Sequence, residues 1–102
     1  GLAAKIGQGQ LRRLLHNVEP VYREEYTALL ESIKQQNKAE AIRLAHSLKN
    51  TAGLFACQGL VDCLKKVEQG DLALVTQDSF RQQLERDYQA CLNIMRQLSG
   101  LS

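Results

Sequence analysis

Apolar residues recur along this chain at the spacing of α-helices, and nowhere at the spacing of strands. Leu11, Leu14, Leu15 and Val18 fall three and four residues apart, and Tyr22, Tyr26, Leu29, Leu30 and Ile33 continue the stripe. Ala41, Ala45, Leu48, Ala52 and Phe55 form a second stripe, and Leu60, Cys63, Leu64 and Val67 a third. Phe80, Leu84, Tyr88, Cys91, Met95 and Leu98 form the last. No segment sustains period-two alternation, and 17 Leu with 11 Gln and few β-branched residues add helix propensity. The pattern predicts an all-α domain over residues 1–102, an antiparallel up-and-down four-helix bundle with a short or kinked N-terminal helical segment.

Local signals place the boundaries. Pro20, the only proline, either opens a new helix or kinks one long helix, and the stripe on both sides of it favours a kink. Asn37 is a candidate N-cap with Glu40 three residues on, close to a capping box. A break is expected near Ala56 to Gly59, and Gly70 is expected as a C-terminal cap. A loop from Asp71 to Thr76 or Asp78 then leads to a last helix that ends at Gly100.

Composition removes several classes of function. A chain of 102 residues buries roughly two-thirds of its unfolded surface, enough for one core. A net charge of +2 is too small to argue for nucleic acid, and five aromatics without Trp give no platform for stacking bases. The pairs Arg12-Arg13 and Lys65-Lys66 are too short for a nucleic-acid patch. No apolar run approaches the roughly 20 residues of a membrane span. The opening Gly1-Leu2-Ala3-Ala4-Lys5 has no apolar core of a secretory signal. It also lacks Met, which suggests a piece of a longer chain. Cys57, Cys63 and Cys91 are odd in number and contain no C-x-x-C. They are read as reduced core residues, with no metal site and a reducing compartment.

One segment departs from a plain amphipathic helix: Ala45-His46-Ser47-Leu48-Lys49-Asn50-Thr51-Ala52-Gly53-Leu54. At ~100° per residue His46 lies about 130° from the centre of the core stripe, on the solvent side. Asn50 and Gly53 share its face, and Lys49 is a neighbour. A glycine inside a helix costs up to ~1 kcal/mol relative to alanine, and beside His46 it lets another surface come close. A neutral imidazole nitrogen is a competent nucleophile toward phosphorus, and an adjacent ammonium pairs with the anion formed. Spacing alone leaves two readings open, a phosphate carrier and a surface histidine with an unrelated lysine. His16 reads as a partly exposed helix residue. Tyr22 and Tyr26 read as core or bundle-edge residues. Leu54, on the outer side of the His46 helix, is a candidate docking residue.

Residues 45–64, AHSLKNTAGLFACQGLVDCL, resemble the phosphoacceptor motif of histidine-containing phosphotransfer (HPt) domains. That motif is H-x-L-K-G, then a small-residue stretch, then glycine and leucine. His46, Leu48 and Lys49 match, as do Thr51, Ala52, Gly53 and Leu60, and the upstream run Arg43 to His46 is similar as well. Asn50 stands where many members have glycine, and Ala56 where a second glycine is common. Both are small, so access to His46 is expected to survive.

The resemblance implies a phosphorelay intermediate without its own ATP site, in line with the lack of a Gly-rich nucleotide loop. His46 would accept a phosphoryl group from a receiver-domain aspartate of a hybrid sensor kinase. It would then pass the group to a response-regulator aspartate. Lys49 would stabilise the phosphoryl oxygens, Asn50 could hydrogen-bond one, and Gly53 and Leu54 would meet the partner. A group on the neighbouring helix would orient the imidazole, with Glu68 the first candidate and Lys65 and Gln69 lesser ones. No cofactor is expected on this chain, since Mg²⁺ would sit on the partner receiver. The resemblance further implies a monomer in the cytoplasm without direct membrane contact, as the C-terminal piece of an inner-membrane bacterial sensor kinase or as a small free protein. The alternatives are a receiver-docking module without phosphotransfer and an unrelated helical adaptor or DNA-binding bundle.

Overall fold

Helix α1 (Gln8–Lys34) is the longest element of the computed structural model, which describes residues 8–100. The opening stretch Gly1 to Lys5 lies outside the described residues. At 1.5 Å per residue, α1 spans about 40 Å, close to the 43 Å long axis of the molecule. It runs unbroken through Pro20, so residues 8–20 do not form a separate short helix. Pro20 has no N–H to offer the His16 carbonyl, and its exposed ring keeps that gap at the surface. The apolar stripe on both sides of Pro20 buries Leu11, Leu15, Tyr22, Tyr26, Leu29 and Ile33, which ties the two halves to one core.

Helices α2 (Lys38–Leu54), α3 (Gln58–Glu68), α4 (Leu72–Val75) and α5 (Asp78–Leu98) follow. The fold is all-helical across the described residues. The principal contacts join α1 to α2, α2 to α3, α3 to α5 and α5 to α1. All four stripes meet in one core, in which Leu29, Leu64, Leu84, Ala45, Ala52 and Cys91 have no solvent exposure. Each buried Leu contributes roughly 1.5–3 kcal/mol. The stripes also extend beyond the sequence expectation, since Leu44 and Leu92 are buried. Leu98 is not a core residue: at 40% exposure it lies in the last turn of α5, past the end of the packed face.

Tyr22, Tyr26 and Tyr88 fasten α1 to α5. The Tyr26 and Tyr88 rings stack at 3.7 Å between centroids, and the Tyr22 and Tyr88 rings at 4.9 Å. The Tyr22 hydroxyl donates to the Tyr88 carbonyl at 3.0 Å. Burial pushes the Tyr22 and Tyr26 hydroxyls well above their ordinary values, so both stay protonated. All three cysteines are unbridged and buried. Burial, then Asp87, pushes the Cys63 thiol up to about 11, and burial pushes Cys91 up to about 12. At neutral pH these two are small apolar groups rather than thiolates.

The helix ends explain the connections. Asn37 caps α2, accepting from the Glu40 N–H at 3.3 Å. The reciprocal half of a capping box does not form, because the Glu40 carboxylate pairs with Arg43 instead. The stretch expected as loop after Gly70 holds the single-turn helix α4. Asp71 caps it, and Val75 anchors it in the core. One turn is too short to show a periodicity. Gly70, at φ +78°, ends α3 as expected. The ends of α1 and α2 use the same left-handed device without glycine, at Gln36 (φ +58°) and Ala56 (φ +56°). At Ala56 the pattern is a Schellman motif: Cys57 N–H donates to the Ala52 carbonyl at 3.0 Å and Ala56 N–H to the Gly53 carbonyl at 3.3 Å.

A β-carbon is disfavoured in that conformation. Ala56→Gly is therefore expected to raise stability by about 0.5–1 kcal/mol, after allowing for the freer unfolded glycine. Urea unfolding should show a higher midpoint at unchanged slope.

Candidate functional site

The buried face of α2, made of Ala41, Leu44, Ala45, Leu48 and Ala52, fixes how the helix is turned. His46 then projects outward, its side chain 61% exposed. Lys49, one turn on, lies at the seam with α3 and is 24% exposed. Ser47 turns the other way and donates to Glu25 Oε2 of α1 at 2.5 Å.

Glu68, in the last turn of α3, completes the cluster. Its Oε2 lies 3.2 Å from His46 Nδ1 and its Oε1 lies 2.7 Å from Lys49 Nζ. Oε1 is shut off from solvent. Its contact with Lys49 is a close ion pair. Burial on its own would raise the Glu68 carboxyl. Lys49 and His46 outweigh it and hold the carboxyl below its ordinary value, hence ionised at neutral pH.

An ionised carboxylate only accepts, so Nδ1 must be the donor. The neutral ring then carries its lone pair on Nε2. The geometry thus selects one tautomer and turns the nucleophilic nitrogen to solvent.

The structure brings together His46, Lys49 and Glu68 of the residues singled out in the sequence. Lys65 and Gln69 are exposed and are not partners of the imidazole, which is bonded to Glu68. Asn50 is exposed on the His46 side, and among the described residues it makes no hydrogen bond to the ring. A β-carbon built on Gly53 meets nothing within 4 Å, so packing inside the chain does not demand glycine there. Leu54 is 57% exposed, the most exposed large apolar side chain among the described residues. Two contacts were not legible in the sequence, Glu25 with Ser47 and Lys49 with Glu68. Each joins different helices across a gap in sequence, and no local signal marks either.

The site is an open surface. The grooves lined by Tyr26 and Arg81, by Pro20 and Thr27, and by Leu15 and His16 do not include His46. Among the described residues no three His, Cys, Asp or Glu side chains gather as metal ligands, and no helix is long and apolar enough to cross a membrane. No family model, curated protein or solved structure matches this chain.

Two outcomes follow from this geometry. The lowered Glu68 carboxyl stabilises the fold fully above the unfolded glutamate value of about 4.3 and loses that contribution as pH falls through the folded value. The stability gap between wild type and Glu68→Gln, measured by urea unfolding, should therefore narrow below about pH 4.5. Gly53→Ala should leave the fold equal or more stable, by up to about 1 kcal/mol, since the new methyl meets no neighbour. Thermal unfolding checks it.

Proposed function

We propose that this chain is a phosphoryl carrier of the HPt type. One observation carries the reading. An exposed imidazole has Nδ1 anchored by a carboxylate and Nε2 presented on an open helical face, with glycine and leucine beside it. An open face suits a protein donor and acceptor better than a small substrate, which usually takes a concave site. The helix contacts support an antiparallel four-helix bundle of α1, α2, α3 and α5, since short connections favour antiparallel neighbours.

The reaction is a relay between receiver aspartates. His46 Nε2 attacks the phosphorus of a donor aspartyl phosphate. The N–P bond forms as the P–O bond breaks, and its electron pair returns to the aspartate carboxylate. No proton has to leave, because the ring becomes an imidazolium whose Nδ1 proton stays against Glu68. A fixed carboxylate behind an imidazole stabilises that charge as it develops. Transfer to the acceptor aspartate is the reverse. The chain supplies position, a nucleophile and the Lys49 ammonium, while Mg²⁺ and most of the charge stabilisation at phosphorus come from the receiver domains. Gly53 lets the partner backbone approach, and Leu54 gives it an apolar contact. On this reading the chain acts as a monomer in the cytoplasm, attached to a sensor kinase or free, and has no kinase activity of its own.

The test is phosphoryl transfer from a panel of phosphorylated receiver domains. Acid-labile, base-stable label is expected on the wild type and not on His46→Gln. Glu68→Gln is expected to retain labelling at a rate lowered by about tenfold or more, the loss of one charged contact to the developing imidazolium. Binding to a receiver with no label on either His46 form would replace the carrier by a docking module.

A further inference from the structure

We propose that Lys49 changes partner during the reaction, leaving Glu68 for the phosphoryl group as His46 is loaded. The inference rests on the carrier function above and concerns the regulation of that same site.

The charges around the ring give the reason. In the resting site Lys49 Nζ is 2.7 Å from Glu68 Oε1, and His46 Nδ1 is 3.2 Å from Oε2. Both contacts are made to the carboxylate behind the ring, on the Nδ1 side. The ammonium is therefore committed to Glu68 rather than to Nε2, where the phosphoryl group arrives. Oε1 has no access to water, so taking Lys49 away from a resting Glu68 leaves a partly buried carboxylate without a cation, which is costly.

Loading changes this balance. The Nε2 lone pair becomes the N–P bond, and the ring acquires a positive charge next to Glu68 Oε2. The carboxylate then has a cation of its own. A phosphoryl dianion meanwhile stands at Nε2. Lys49 is three residues from His46 on the same helix, within side-chain reach. Its ammonium sits on a flexible four-carbon stem. Moving it gives every charged group a partner of opposite sign: imidazolium with carboxylate, ammonium with phosphoryl. Loss of the phosphoryl group returns the ring to neutrality and draws the ammonium back to Glu68. Lys49 thus stabilises the resting and the loaded states through different contacts, and the exchange is driven by the charge on the imidazole.

The full chain carrying His16→Gln has His46 as its only imidazole. Phosphoramidate loads it without a receiver: Nε2 attacks phosphorus, the P–N bond breaks and ammonia leaves with the electron pair. Nitrogen and carbon resonances of the Lys49 side chain are expected to shift on loading, with those of Lys34 unmoved. The ³¹P titration midpoint of the phosphoryl group is expected to rise by about 0.5–1 pH unit in Lys49→Gln, because an adjacent cation favours the dianion. Lys49 resonances that stay put on loading overturn the proposal. So does a midpoint that Lys49→Gln leaves unchanged while Glu68→Gln alone lowers it, since the ammonium would then reach phosphorus only once released. Failure of transfer from every receiver with both shifts as expected removes the carrier function and leaves the exchange. Normal transfer with Lys49 unmoved removes the exchange alone.

Discussion

The rotational setting of α2 about its own axis is the constraint on which the rest depends. Five buried positions set it, and three of them are alanine. Small side chains let α1 and α3 approach closely, and the two leucines fill the space between. Once that face is fixed, 100° per residue decides the remainder. Ser47 meets α1, Lys49 meets α3 and His46 has no neighbour to bury it. The chemistry of the site is a by-product of packing: the same stripe that makes the core aims the imidazole outward.

Because of this link, much of the molecule was legible in the sequence and some of it was not. Periodicity located the long helices, since each buries one stripe of a single core. It also placed His46 on the solvent side, a purely angular deduction. Asn37 and Gly70 behaved as their capping chemistry requires. Pro20 was ambiguous because a missing N–H permits either a start or a continuation. The packing of Leu15 and Tyr22 on the same core selected continuation. Helix α4 escaped because one turn has no period. The significance of Ala56 lies in its backbone angle, which residue size does not reveal.

The candidate site divides along the same line. His46, Lys49 and Gly53 belong to one helix and could be related by angle alone. Glu68 is 22 residues away, and a family resemblance suggested it. Only the packing of α3 on α2 puts it behind the ring and gives its two oxygens to two different residues. Carboxylate, ammonium and imidazole then form a set in which each group alters what the others can do.

The tyrosines give the molecule one further property. The chain has three tyrosines and no tryptophan, and all three pack together where α1 meets α5. The tyrosine signal of this protein therefore reports on one interface, that of α1 with α5. An optical signal from the native chain will follow the opening of α1 from α5, while events at His46 pass unseen. Those events are followed by nuclear resonance or by isotope instead.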